Sequence, residues 1–160
     1  MNINLHPATD IARPAAAAAD QRASLPPQIE RLQRAWFTHD PALLADCLEA
    51  GYVSAHPLHP ERNFVGRDVA VANWQTIFEA VPDLRAELLS FAVAGAEVWT
   101  EWRWSGEHVA GNAFGAAGVM VFRLAENRIA SARVYAEITT PAGPDWEAVL
   151  EEVLAQSGEA

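Results

Sequence analysis

Glu97-Val98-Trp99-Thr100-Glu101-Trp102-Arg103-Trp104-Ser105 is the stretch that decides the fold. Val98, Thr100, Trp102 and Trp104 fall on one side, with Trp99, Glu101, Arg103 and Ser105 on the other. That period of two belongs to a strand with one face buried. Upstream, residues 84–93 read as a neighbouring strand joined to it through a turn at Gly95. Downstream, Gly106, Gly111 and Gly115 mark a long flexible turn into a strand over 116–124. Glu126-Asn127 then reads as a tight reversal, with Asn127 suited to a left-handed conformation. The last strand covers 129–139, with Ala130, Ala132, Val134, Ala136 and Ile138 on one side and Ser131, Arg133, Tyr135 and Glu137 on the other.

Helices precede this meander. Pro26-Pro27 suits a helix start, and Ile29, Leu32, Trp36 and Phe37 follow as one apolar face. His39-Asp40-Pro41 breaks that helix and opens a second, with Leu43, Leu44, Cys47 and Leu48 inward and Gly51 ending it. A short strand over 52–56 is halted by Pro57 and Pro60. A third helix over 67–80 buries Ala70, Trp74, Ile77, Phe78 and Val81, and Pro82-Asp83 stops it. After the sheet, Trp146, Val149, Leu150, Val153 and Leu154 form the apolar stripe of a terminal helix. Helices first and an antiparallel meander afterwards give an α+β order. A long sheet of this kind twists and curls, so helices on its concave side enclose a cone with an apolar interior. Residues 1–25 read as a disordered or loosely attached arm, 26–156 as a single domain, and 157–160 as a tail.

Composition narrows the function classes. In 160 residues the apolar share is 51% and the formal net charge is −10. Binding phosphates needs clustered Lys and Arg, which this chain lacks, so nucleic acid is not the expected partner. No apolar run approaches the roughly twenty residues that span a bilayer, so no membrane is expected either. Cys47 is the only cysteine and the N-terminus lacks the pattern of a signal peptide, which points to a cytoplasmic protein. Cys47 sits in an apolar helix and reads as packing. The His56–His59 pair lacks a third ligand at a telling distance, so no metal is expected.

Five short segments in order carry a resemblance. They are Tyr52-Val-Ser-Ala-His-Pro57, Gly66-Arg67-Asp68 opening a helix that ends Phe78-Glu-Ala-Val-Pro-Asp-Leu84, Trp102-Arg-Trp-Ser-Gly-Glu-His108, Gly118-Val-Met-Val-Phe-Arg-Leu124, and Asn127-Arg-Ile129. Over about 26–137 the chain resembles the SnoaL-like polyketide cyclases of the NTF2-like superfamily. The resemblance implies an NTF2-like α+β cone and acid–base catalysis without a cofactor. In those cyclases an Asp on the strand corresponding to 116–124 moves the proton. Here Met120 stands at that position, or Gly118 if the alignment shifts by two, and neither transfers a proton. The general-base Asp of ketosteroid isomerases aligns near His56. Of the Asp–Arg–Asp set of the epoxide hydrolases only Arg103 matches, because Ser105 and Val134 stand at the other two places.

His56 is therefore the candidate catalytic base, since histidine exchanges a proton near neutral pH, with His108 or Tyr135 as its hydrogen-bond partner. Trp36, Tyr52, His59, Trp74, Phe78, Trp102, Trp104, Met120 and Phe122 are the candidate ligand contacts, forming an aromatic wall with an adaptable methionine. Glu137, Glu101 and Arg103 read as surface or interface partners. Two functions stay open: a cofactor-free enzyme on a hydrophobic small molecule (cyclase, isomerase, dehydratase or epoxide-opening), or a non-catalytic binding or carrier domain. A homodimer is expected through the convex sheet face, where Trp99, Glu101, Arg103 and Tyr135 leave too much aromatic surface for open water.

Overall fold

The computed structural model describes residues 24–139 and, beyond them, 148, 150, 151 and 155. The expected arm up to residue 23, the tail, and all of the terminal stripe except Leu150 lie outside the described residues. The chain builds α1 (Pro27–Thr38), α2 (Pro41–Cys47), β1 (Leu48–Ala55), a 3-10 turn (Pro60–Arg62), β2 (Phe64–Val65), α3 (Arg67–Ala80), β3 (Arg85–Ala94), β4 (Glu97–Glu107), β5 (Ala113–Leu124) and β6 (Ile129–Ile138). The strands form one sheet in the order β2-β1-β6-β5-β4-β3, left open because its two end strands do not meet. Every pairing is antiparallel except β1 with β6, which is parallel. The sheet is therefore not a pure meander: β1 is fed in from the helical half.

Local chemistry sets the helix ends. Asp40 caps α2 by accepting from the backbone N–H groups of Ala42 and Leu43 at 2.9 and 3.0 Å. His39 takes the left-handed conformation that closes α1, at φ 50°. Its ring stacks on Phe78 at 4.7 Å, and its Nε2 lies 2.9 Å from the Leu84 carbonyl, tying the end of α1 to α3 and β3. Asn127, in contrast, is not left-handed, since His39 is the one non-glycine with positive φ among the described residues. The reversal closes instead through Ala125 N–H donating to the Arg128 carbonyl at 2.8 Å. Gln28 Nε2 and Arg31 of α1 donate to the Ala125, Glu126 and Asn127 carbonyls.

Three boundaries differ from the sequence reading. Gly51 lies inside β1 and does not end α2, which stops at Cys47. Phe37 is 74% exposed, so it leaves the apolar face of α1 to Ile29, Leu32, Ala35 and Trp36. Gly106 and Gly115 belong to β4 and β5, paired with Phe114 and Ser105, and only the short 108–112 segment turns. Gly106 is needed for close approach, because a Cβ there would lie 2.5 Å from Val81 and 2.8 Å from the Asp83 carboxylate.

The core sits between the helices and the inner face of the sheet. It joins Ile29, Leu32 and Trp36 of α1 and Leu44 and Cys47 of α2 to Val98, Trp102 and Trp104 of β4 and Phe122 of β5. Burial pushes the Cys47 thiol up to about 11, as expected of a packed, unreactive cysteine. Thr100 is a buried polar residue of β4 on this face, and its neighbours explain it. The Trp102 indole N–H donates to Thr100 Oγ1 at 2.7 Å, and that hydroxyl donates to the Met120 carbonyl at 2.7 Å. No helix among the described residues is long and apolar enough to cross a membrane.

Candidate functional site

The alternation on β1 builds one wall of the site. Tyr52 and Ser54 point inward while Val53 is 40% exposed, and His56 continues the same side one residue past the strand end. Met120, Phe122, Ala116 and Phe114 of β5, Val134 and Ala136 of β6, and Trp104 of β4 continue the wall across the sheet. Trp36 of α1, Leu44 of α2 and Ala70, Asn73, Trp74 and Ile77 of α3 close it from the helical side. Together they enclose a cavity of about 610 Å³, enough for a ligand of a few fused rings.

The aromatic side chains form a connected wall. Trp36 lies 4.6 Å from Trp74 and 5.8 Å from Trp104, ring centre to ring centre. Deep in the cavity the lining is apolar. Near the rim it turns polar, where Ser54, His56, Arg62 and Glu137 gather. Ser54 Oγ stands 3.2 Å from His56 Nε2, and the His56 backbone N–H donates to Asn63 Oδ1. Both ends of that residue are thus fixed. Burial, with the Arg62 guanidinium nearby, holds the His56 ring below the ordinary histidine value, so the neutral imidazole is favoured. Burial pushes the Tyr52 hydroxyl's pKa up to about 12.

Several expected site residues meet here. His56, Trp36, Tyr52, Trp74, Trp104, Met120 and Phe122 all line the cavity. Others do not. Trp102 is fully buried behind the wall, where its edge packs on Trp36 at 4.9 Å and its N–H is spent on Thr100. Phe78 sits beneath Trp74 and against His39, outside the lining. His59 is at the rim, its Nε2 2.9 Å from the Glu137 carboxylate and its Nδ1 3.4 Å from Glu61. His108 fastens the β4–β5 turn, its Nδ1 accepting from the Ala110 N–H at 3.1 Å, and it does not reach the cavity. Tyr135 is 37% exposed on the outer face of β6, beside Arg133, and likewise stays away. The hydrogen-bond partner of His56 is Ser54, a residue on its own strand face.

Sequence reasoning missed Arg62, Asn63, Ser54 and the placement of Glu137. Glu137 is the one carboxylate among the described lining residues. Arg62 Nη1 donates to both its oxygens, at 3.2 and 3.3 Å. The expected surface salt bridge is present, and it stands at the cavity mouth. The i, i+2 spacing of Ser54 and His56 was the readable signal, whereas Arg62 reaches Glu137 only because the Pro-bounded connection after β1 folds back. No cluster of three or more His, Cys, Asp or Glu able to hold a metal ion occurs among the described residues.

With this geometry in place, comparison with known proteins is informative. The family model of the SnoaL-like domain matches residues 29–132. No curated protein sequence matches the chain. Among solved structures, AclR from Streptomyces galilaeus, named as a candidate hydroxylase, is 15% identical, with a TM-score of 0.62 over 83% of this chain and 92% of its own. A protein of Jannaschia sp. CCS1 named as a candidate SnoaL-like polyketide cyclase is 20% identical, with a TM-score of 0.59 over 82% and 95%. A Catenulispora acidiphila protein with a ketosteroid isomerase-like fold is 18% identical, with a TM-score of 0.58 over 83% and 93%. At these identities the likeness is one of fold.

Proposed function

The chain belongs to the SnoaL-like domain family, and from that premise we propose a cofactor-free acid–base enzyme that takes a hydrophobic small molecule into the cavity and moves a proton at His56. The reaction belongs to the cyclising, isomerising, dehydrating or epoxide-opening type. One observation carries this reading: an aromatic cavity whose titratable groups gather at its polar mouth, with His56 kept neutral and able to accept a proton. With Met120 or Gly118 where the cyclases carry their Asp, Glu137 supplies the site's carboxylate, and Arg62 orients it. The names of two structural neighbours, a candidate polyketide cyclase and a candidate hydroxylase, support an enzyme of small-molecule metabolism.

Met120 in the cavity wall favours the second reading, a binding or carrier domain, because the deep end then holds no proton-transferring group. Deuterium wash-in separates the two. In D2O, 2-tetralone exchanges its α-protons slowly, and NMR follows the loss. An enzyme accelerates exchange over buffer, and His56→Ala removes about a hundredfold of that acceleration. Exchange at the buffer rate, with the ketone bound and unchanged, supports the carrier. We also propose that a second copy of the chain covers the outer sheet face, where Trp99 is 45% and Tyr135 37% exposed. Sedimentation at micromolar concentration gives a dimer mass on this account, and a monomer contradicts it.

A further inference from the structure

Arg62 and Glu137 bring opposite charges to the mouth of an otherwise largely apolar cavity, and they come from separate parts of the fold. Glu137 lies near the end of β6. Arg62 closes the 3-10 turn of the Pro-bounded connection, which folds back through three backbone bonds. The His59, Arg62 and Asn63 N–H groups donate to the His56, His59 and Pro60 carbonyls at 2.9, 2.9 and 3.1 Å. Asn63 Oδ1 accepts from the His56 N–H at 2.6 Å and ties the connection back to the end of β1. A single Arg62 nitrogen, Nη1, donates to both Glu137 oxygens, and His59 Nε2 lies 2.9 Å from Oε1 of the same carboxylate. A guanidinium has five N–H groups and a carboxylate about four acceptor sites, so the pair is far from saturated. Arg62 Nε and Nη2 have no partner among the described residues, and Oε2 accepts from Nη1 alone. The two side chains are 48% and 45% exposed, within reach of a ligand's outer edge.

The two charges cancel locally. Glu61, which reaches His59 at 3.4 Å, is 70% exposed and outside the lining, so water screens it. An anionic head group entering the mouth meets Glu137 as well as Arg62, and a cationic one meets Arg62 as well as Glu137. Each gains one attraction and suffers one repulsion. A neutral hydroxyl meets no such conflict, because a single oxygen accepts from a free guanidinium N–H and donates to Oε2. Resting on the reading that the cavity takes a hydrophobic small molecule, we infer that the Arg62–Glu137 pair sets specificity at the mouth. It selects a ring ligand with an uncharged hydroxyl at its outer edge over the corresponding acid or amine. Specificity of this kind needs a repulsive element beside the attractive one, and each member of the pair supplies both, one for each sign of charge. The rings fill the aromatic depth, and the hydroxyl stays where the lining turns polar.

Three probes test this: 2-naphthol, 2-naphthoate and 2-(aminomethyl)naphthalene share one ring system and differ in head-group charge at neutral pH. Calorimetric titration into the wild type is expected to rank the naphthol first. Arg62→Gln leaves Glu137 uncompensated, so the amine is expected to gain about threefold and the acid to lose about threefold, the scale of a half-exposed ion pair. Glu137→Gln is expected to reverse both changes. Comparing each probe with itself across the variants cancels the probe's own hydration. Combining Arg62→Leu with Glu137→Leu is expected to weaken 2-naphthol by about fivefold, the worth of one net hydrogen bond, without weakening 2-methylnaphthalene. A wild type that ranks the acid or the amine first overturns the inference and leaves the cavity reading intact. Single variants that shift all three probes alike do the same, as does a naphthol affinity unmoved by the double leucine variant. Absence of binding by all four compounds overturns the cavity reading and this inference together.

Discussion

Gly118→Ala is the perturbation whose cost the geometry states most sharply. Gly118 lies mid-strand in β5, between Trp102 of β4 and Ala136 of β6, at φ +153°. A Cβ added there would stand 2.4 Å from Ala136 Cα, 2.4 Å from the Tyr135 carbonyl oxygen and 2.9 Å from Ala136 Cβ. Two of those atoms are backbone, so β6 itself must move to admit the methyl. Backbone strain contributes about 1–3 kcal/mol and overpacking about 1–3 kcal/mol more. Urea unfolding followed by fluorescence is therefore expected to show a loss of about 2–6 kcal/mol with the slope on denaturant unchanged. Gly51→Ala is the internal control, since a Cβ there meets nothing within 4 Å. That variant is expected to be neutral or stabilised by up to about 1 kcal/mol. A Gly118→Ala cost below about 1 kcal/mol would refute the close approach of β5 and β6. The same geometry bears on function: no aspartate fits at position 118, so of the two aligned positions only Met120 faces the cavity with a side chain.

Three further outcomes are expected. The folded pKa of His56 is held below 6.5, so as pH falls through 6.5 the unfolded chain takes up its proton first. Wild-type stability is thus expected to fall relative to His56→Gln from about pH 6.5 downward, and a gap that moves the other way would reverse the assigned shift. Removing the negative charge in Glu137→Gln is expected to lower the His56 pKa further, because that carboxylate favours the imidazolium, and an upward move in an NMR titration contradicts it. Trp102→Ala is expected to cost about 3–5 kcal/mol of stability, being fully buried outside the cavity lining. Trp104→Ala should instead weaken ligand binding directly, and equal effects of the two on ligand affinity would deny the distinction.

Much of this was legible in the chain because the signals were periodic. Alternation along 97–105 sorted Val98, Thr100, Trp102 and Trp104 inward, as the structure has them. Periodicity could not say that Trp102 and Trp104, on the same face, differ in depth: one lies beneath the helices and the other at the cavity wall. Nor could it show that Thr100 is buried to bridge Trp102 and the Met120 carbonyl, since a Thr in a strand needs no explanation on its own. Glycine misled in β4 and β5, because Gly106 and Gly115 are there for close packing and not for turning. His56 was found from its place before Pro57. Its ring partner is Ser54, two residues away on the same side, and not the distant His108 or Tyr135 that the sequence suggests. The Arg62–Glu137 pair was unreadable because it depends on how a proline-bounded connection folds across 75 residues of sequence separation.

The central claim is that a ligand lives in this cavity, and plugging it tests that claim most directly. Ala116 lines the cavity opposite Trp104 in register, so Ala116→Phe projects a ring into the space. A ketone of roughly a dozen heavy atoms, at roughly 0.5 kcal/mol each, should bind at on the order of 20 µM. Calorimetric titration of 2-acetylnaphthalene is expected to give one site per chain near that affinity in the wild type. In Ala116→Phe the affinity is expected to fall by at least about tenfold with the fold intact by circular dichroism. No binding to the wild type, or equal binding to the plugged variant, would contradict the account.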